Sequence, residues 1–245
     1  EITIHRYESG SIQDAVHNEV LMFIDNPDNM KQIVERNGHL LKTNTYEKLV
    51  KKLEKLINND TTTEWINVLD IKLPDVNKVD EFTGFKKFDF EKMKGMVTYI
   101  ACKTNGVFTT KLNKLLWYAD FLNFKLNTTS ISGNSYVHMS YGPVPNEYNW
   151  ILASAISEGS LIEEEVCFLN GSSGTNYKVT EEPDKSIFST KELEVLDFVI
   201  NYFKDFNCTN IKDLSHQEKA YQDTNDLEEI SYQYAKDISI NMDEK

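Results

Sequence analysis

Apolar residues recur at three- and four-residue intervals along most of the chain, which predicts a protein built mainly of helices. In the first part of the chain the pattern predicts three short helices, at about 11–24, at about 26–38 and from Thr45 onward. From Asp89 to the C-terminus it predicts six more. Asp89 and the Ser189–Glu192 pair have the side chains that cap helix N-termini, so two of these helices are expected to begin there.

The most apolar of the predicted helices begins at Thr109 or Thr110, either of which is a suitable N-cap. Its apolar and aromatic side chains lie on several faces, which predicts burial on most sides and a central position in the fold. These side chains are Leu112, Leu115, Leu116, Trp117, Tyr118, Ala119, Phe121, Leu122 and Phe124.

Strands are few in the predicted fold. Residues 135–141 alternate as a short strand does, and the following Gly142–Pro145 run excludes helix because its prolines lack backbone donors. Residues 161–169 and 177–180 flank a Gly- and Ser-rich turn, which is a hairpin signal. The predicted fold class is therefore mainly α (α+β), a helical bundle-like domain with a small β-hairpin or short sheet.

The chain is predicted to have two parts joined by a linker. Residues 1–58 form the first part, residues 59–82 lose the helical pattern and read as the linker, and residues 83–245 form the second part. One short strand is expected near 68–73. The sequence begins at Glu1 rather than at Met, so we expect further residues upstream.

Composition is that of a globular protein, with 245 residues of which 40% are hydrophobic and 27% charged. The longest apolar stretches, such as Val20 to Ile24, are far shorter than the ~20 residues of a membrane span, and no signal peptide opens the chain. Three widely spaced cysteines argue against a disulfide framework, so the expected location is the reducing cytoplasm.

The net charge of −13 is unevenly distributed, because residues 158–245 carry 20 acidic and 8 basic side chains. Such a field repels a phosphate backbone and attracts a cationic partner. The alternative interpretation is a solvated surface that keeps the protein soluble.

Asp120 is the most unusual polar residue, since it falls within the most apolar helix. An unpaired buried carboxylate is costly, so we expect it to pair with His138, His216 or nearby backbone N–H groups. A structural polar network is the simpler interpretation, with a metal or catalytic role for these residues and Glu218 as the alternative. Ser215 and Glu218 also have capping-box spacing, so Glu218 is expected to cap a helix that starts at Ser215.

Signatures of common enzyme classes do not occur in the sequence. There is no nucleophile elbow, dinucleotide fingerprint or phosphate-binding loop, and no metal-ligand spacing such as HExxH. Glu163–Glu165 lie in a predicted strand, where alternation sends neighbours to opposite sides, so they are interpreted as surface residues. No enzymatic activity, cofactor or metal is predicted.

The run Arg6-Tyr7-Glu8-Ser9-Gly10 resembles the end of the recognition helix in helix-turn-helix proteins of the phage-repressor type. The resemblance implies that residues 1–58 contain the remnant of a DNA-binding module whose first two helices lie upstream. Thr3 and Arg6 would then face operator DNA. A terminal amphipathic helix is the alternative interpretation.

Five motifs, in matching order from about Glu81 to the C-terminus, resemble the Panacea domain of SocA-like antitoxins. They are Lys111–Phe121, Ile131–Tyr136, Tyr141–Pro145, Leu214–Glu218 and Ile230–Tyr232. Some relatives also carry a four-cysteine zinc module, and no CxxC occurs in this sequence.

The resemblance implies an antitoxin of a bacterial or phage toxin–antitoxin pair, which neutralises its cognate toxin by direct binding. Relatives include adaptors that deliver toxin to a protease and members that repress their own operon. Toxin-binding or domain-motif residues are expected among Trp117, Tyr118, Asp120, Phe121, Tyr136, Tyr141, Gly142, Pro143, Val144, Pro145, Ser215, His216 and Glu218.

Several alternatives stay open at this stage. Trp117 is either core or an interface anchor, and Gly142–Pro145 is either a rigid corner or an edge presented to a partner. At the level of function, the second hypothesis is a transcriptional regulator in which the Panacea-like region senses or dimerises. The third is a metal-dependent hydrolase. A homodimer is compatible with the first two.

Overall fold

A computed structural model describes residues 31, 34–35, 43–58, 78–146, 148–168 and 173–242. The chain divides into two compact units, Glu1–Lys72 and Leu73–Lys245. The helices predicted at 11–24 and most of 26–38, and the strand near 68–73, lie outside the described residues.

The smaller unit contains helix α1, Thr43–Asn58, which confirms the helix predicted from Thr45. Val34 and Leu53 are buried against each other, with Tyr46, Leu49 and Val50 packed around them. The lysines of α1 whose burial is described, Lys48, Lys51 and Lys52, are exposed, so they lie away from this packing.

The larger unit is a helical body with two small sheets. Its elements in chain order are α2 (Phe90–Lys103), β1 (Val107–Phe108), α3 (Thr109–Asn127), β2 (Tyr136–Val137), β3 (Val144–Pro145), α4 (Tyr148–Ser157), β4 (Leu161–Cys167), β5 (Ser173–Val179), α5 (Thr190–Tyr202), α6 (Cys208–Gln217), α7 (Lys219–Gln222) and a 3-10 helix (Tyr232–Asp237). The predicted class, mainly α with a small β component, is confirmed.

The caps predicted for α2 and α5 are confirmed, and the cap predicted for α3 is wrong. Asp89 accepts a hydrogen bond from the Lys92 N–H at the start of α2, and Ser189 and Glu192 form a complete capping box at the start of α5. By contrast, the N-cap of α3 is Phe108, whose side chain makes no capping bond. The reason is that Val107 and Phe108 pair with β5, so the strand continues directly into the helix.

The first sheet has the antiparallel order β1-β5-β4. Strands β4 and β5 pair from Leu161↔Val179 to Cys167↔Ser173, which confirms the hairpin, although its second strand begins at Ser173 rather than at Tyr177. Glu163, Glu164 and Glu165 are exposed on β4, as expected. The second sheet pairs Tyr136 with Pro145 and Val137 with Val144.

Helix α3 is the centre of the core, and twelve of its residues, Leu112–Asn123, are buried. It contacts α2, α5, α6, the 3-10 helix and β1, β3 and β5, so nearly every face is covered. The aromatic residues on several faces predicted this position. In the described ranges, no helix is long and apolar enough to cross a bilayer.

Candidate functional site

The five sequence motifs meet at helix α3, whose own polar side chains reach the other motifs. Lys114, Tyr118 and Asp120 are buried and follow one another, in this order, along the helix. Each of them makes hydrogen bonds to a different segment downstream. The motifs are therefore parts of one hydrogen-bonded core.

Asp120 is fully buried and accepts four hydrogen bonds. One carboxylate oxygen takes the backbone N–H groups of Ile131 at 2.7 Å and Ser132 at 2.9 Å. The other takes the hydroxyl groups of Ser132 and Tyr136, the latter at 2.8 Å. Burial raises the pKa of Asp120, while the hydrogen bonds from Ser132 and its neighbours act in the opposite direction. These hydrogen bonds hold the Ile131–Tyr136 motif against α3.

The prediction for Asp120 is half confirmed. Backbone N–H groups do pair with it, but the expectation of a histidine partner is wrong. The Nδ1 atom of His138 lies 3.0 Å from the Thr224 hydroxyl, and the rings of His138 and His216 stack on Tyr221 with centroid distances of 3.7 and 4.2 Å. Burial, followed by the charges of neighbouring lysines, lowers the pKa of His216 and favours the neutral ring.

Glu218 binds distant residues instead of capping its own helix. Its carboxylate accepts the Tyr118 hydroxyl at 3.0 Å and both the N–H and the hydroxyl of Ser239. The capping box predicted from Ser215 is wrong, because helix α6 already begins at Cys208 with Asn207 as its N-cap. Ser215 lies in the last turn of α6 and donates to the Lys212 carbonyl.

Burial and the nearby Glu218 charge raise the pKa of Tyr118 well above its usual value, so this phenol stays a hydrogen-bond donor. The Glu218 carboxylate thereby joins α3 to the segment that follows the 3-10 helix. Tyr118 precedes Glu218 by 100 residues in the sequence, and Ser239 follows it by 21.

The Gly142–Pro145 run forms a buried corner. The ammonium group of Lys114 donates to the Pro143 carbonyl at 2.7 Å, and burial lowers the pKa of this lysine to about 7. Gly142 has φ +92°, and a Cβ atom there would stand 2.5 Å from the Ser215 hydroxyl oxygen and 2.6 Å from the Lys114 Cε. These contacts favour the rigid-corner interpretation of the run.

The last motif, Ile230–Tyr232, packs on the same core. The Tyr232 ring stacks on Phe121 at 4.3 Å, and its hydroxyl donates to the Asn134 carbonyl. The Ser231 hydroxyl donates to Glu81, a residue of the predicted linker. Trp117 is fully buried, and in the described part of the chain its indole nitrogen has no hydrogen-bond partner. Among the described residues, Trp117 is thus a core side chain.

Tyr141 differs from its neighbours in the motif because 68% of its surface is exposed. Met139, two residues before Tyr141, is 36% exposed, and Leu227 is 69% exposed. The Leu227 N–H donates to the carbonyl of His138, which brings Leu227 next to the residue before Met139. Sequence reasoning missed Met139, Leu227 and Lys114. A lysine in the interior of an apolar helix was the available signal for Lys114, whereas exposure of Met139 and Leu227 has no signal in the sequence.

Two further site hypotheses concern a metal ion and operator DNA. Among the described residues, no group of three or more His, Cys, Asp or Glu side chains is placed to hold a metal ion. Thr3 and Arg6, predicted to face operator DNA, lie outside the described residues.

The comparisons with known proteins bear on the larger unit. Neither the curated proteins nor the solved structures contain a match to this chain. A family model does match, from the first turn of α3 to the end of α7. The matched range includes four of the five motifs, and the first of these lacks only its first residue, Lys111. The match leaves the helix-turn-helix resemblance of the first residues as a prediction. Residues 112–222 match the family described as antitoxin SocA-like, Panacea domain.

Proposed function

We propose that this protein is an antitoxin that neutralises a cognate toxin by direct protein–protein binding. The observation that carries the proposal is the match of residues 112–222 to the SocA-like Panacea domain. In the described part of the chain, buried motif residues bind one another, as Asp120 binds Ile131, Ser132 and Tyr136, and this packed body leaves Tyr141 exposed to a partner.

The surface around Tyr141 is the part of the motif region best suited to hold a partner. Tyrosine is enriched at the energetic centres of interfaces, and its hydroxyl can be hydrated while the side chain is exposed in the free protein. Behind it, the Gly142–Pro145 corner is fixed by Lys114 and by pairing with β2. A rigid support of this kind lowers the entropy that is lost on binding.

Leu227 supports the same location. It has φ +65°, a left-handed conformation that costs a non-glycine residue about 1 kcal/mol. Its side chain is nevertheless mostly exposed, so burial in the core does not offset this strain. A partner that covers Leu227 together with Tyr141 and Met139 supplies the missing apolar contact.

Charge restricts the chemistry of the partner. The segment 221–230, which carries Leu227, has four acidic residues and no lysine or arginine; the acids are Asp223, Asp226, Glu228 and Glu229. An apolar surface with an acidic rim fits a toxin with a basic face, such as one that acts on nucleotides or RNA. The proposed interface therefore has Tyr141, Met139 and Leu227 at its centre.

Co-expression with the product of the neighbouring gene tests the function. We expect that product to arrest growth alone and to be neutralised by this protein. Persistent arrest with both proteins soluble would refute the antitoxin proposal.

The interface is tested by the double variant Tyr141→Ala/Leu227→Ala. With the purified pair, calorimetric titration should give a Kd at least about ten-fold weaker than wild type, because exposed anchors are lost without disturbing the core. Ile162→Ala is the matched control, since Ile162 is 51% exposed on β4, away from this surface. Full affinity in the double variant would place the interface elsewhere and leave the antitoxin function standing.

A further inference from the structure

A cavity of about 700 Å³ lies between the end of α2, strand β1 and the segment that joins α5 to α6. Its inner surface is apolar and includes Val107, Ile200 and Phe206. Phe108 and Phe168 form one wall, with their ring centroids 5.6 Å apart. The volume is within the range of ligand sites, and an aromatic wall offers a surface on which a flat group can stack.

Phe168, which directly follows β4, is 43% exposed although it is part of this aromatic wall. The same ring also approaches Gly174, where an added Cβ atom would stand 3.4 Å from both Phe168 and Phe108. Both rings therefore lie close to the Gly174 backbone, and both line the cavity.

Lysines surround the opening in a protein whose net charge is −13. Lys103 is engaged by Asp197, with 3.4 Å between the ammonium and the carboxylate. Lys111 donates only to the carbonyls of Lys204 and Phe206, at 3.2 and 2.6 Å. Within the described ranges, neither Lys111 nor Lys204 forms an ion pair with a carboxylate. Asp205 is the acidic side chain whose charge acts on Lys111, but it does so without a direct ion pair, so both ammonium groups can still contact an anion at the opening.

Helix α6 adds a further positive end. Its N-cap residue Asn207 and its first residues, Cys208 and Thr209, line the same cavity. The Asn207 side chain accepts the Asn210 N–H, but the N–H groups of Cys208 and Thr209 have no partner within the helix, and the helix dipole makes this end attractive to anions. The lysines and the helix end therefore favour the same sign of ligand charge.

We propose that this cavity binds a small amphipathic anion, namely a flat aromatic or acyl body that carries one carboxylate, sulfonate or phosphate group. The body lies against Phe108 and Phe168, and the anionic group lies at the opening between Lys204, Lys111 and the start of α6. This site is separate from the surface around Tyr141 and does not depend on the antitoxin function.

The test uses the full chain and the fluorescent aromatic sulfonate 8-anilinonaphthalene-1-sulfonate. Its uncharged analogue N-phenyl-1-naphthylamine has the same rings without the sulfonate. We expect a saturable fluorescence rise with about one sulfonate probe per chain. Lys204→Gln should weaken that binding about three-fold and leave the neutral probe unchanged, because only the charge contact is lost.

Phe168→Ser should weaken both probes, since it removes part of the aromatic wall. Lys236→Gln, an exposed lysine on the 3-10 helix, serves as the charge-matched control and should change neither titration. Equal affinity of wild type and Lys204→Gln for the sulfonate overturns the proposal, and so does an equal loss in Lys236→Gln. Retained binding of both probes by folded Phe168→Ser also overturns it.

Discussion

Replacing Asp120 with alanine is expected to lower the free energy of unfolding by about 4 kcal/mol. The substitution leaves the backbone N–H groups of Ile131 and Ser132 without their acceptor, and both residues are fully buried. Each unsatisfied buried donor costs about 1–3 kcal/mol, so the two together give this magnitude. The hydroxyl groups of Ser132 and Tyr136 lose the same acceptor and add to the cost.

Asp120→Asn separates charge from hydrogen bonding. The remaining carbonyl oxygen can still accept both backbone N–H groups, while the new NH₂ faces two hydroxyl oxygens that accept after rotation. We therefore expect this variant to lose only about 1–2 kcal/mol. Asp213→Ala is the control, because Asp213 forms an exposed pair with Lys212 and should change stability by less than about 1 kcal/mol.

Urea unfolding followed by tryptophan fluorescence provides the measurement, since Trp117 is buried on the same helix as Asp120. The thermal midpoint of Asp120→Ala should fall by roughly 8–16 °C for a unit of this size. Tyr136→Phe should be less harmful in the Asp120→Ala background than in wild type, because it then removes an already unpaired hydroxyl. A loss no larger than that of Asp213→Ala, or strictly additive double-variant effects, would refute the hydrogen-bond argument.

Three further predictions concern the other parts of the core. The pKa of Lys114 falls from 10.5 to about 7 on folding, so between these pH values the unfolded chain binds one proton more than the folded chain. The free energy of unfolding should therefore drop as the pH falls from about 10 to 7, by up to ~1.4 kcal/mol per pH unit. Lys114→Met should flatten this part of the pH–stability curve in urea titrations; an unchanged slope would contradict the burial argument. Gly142→Ala should lower the free energy of unfolding by at least about 3 kcal/mol because its Cβ atom meets close neighbours. Gly159→Ala, at φ +75° with nothing within 4 Å, should cost only about 1 kcal/mol. Equal thermal midpoints for the two variants would show that the Gly142–Pro145 corner rearranges to accommodate the added atom. Glu218→Ala should cost about 2 kcal/mol in urea unfolding, since the buried Tyr118 hydroxyl loses its acceptor and Ser239 loses its hydrogen bonds to the same carboxylate; a neutral effect would mean that water replaces the carboxylate.

The sequence by itself determined much of the local structure of the larger unit. Aromatic residues on several faces placed α3 at the centre, Asp89 and the Ser189–Glu192 pair fixed two helix starts, and the Gly- and Ser-rich turn fixed the hairpin. These features depend on side chains within a few residues of one another. The motif order also predicted the family that residues 112–222 match.

Only the tertiary structure decided the partners of the buried polar groups. Glu218 has the spacing of a capping residue, yet its buried carboxylate binds Tyr118 and Ser239, because the packed chain brings these donors to a group that would otherwise lack partners. Likewise, nothing local distinguishes exposed Tyr141 from buried Tyr136. A buried polar group pairs with whichever donor or acceptor the packed chain brings to it, and exposure is set by what packs above a residue, so both depend on contacts between segments far apart in sequence.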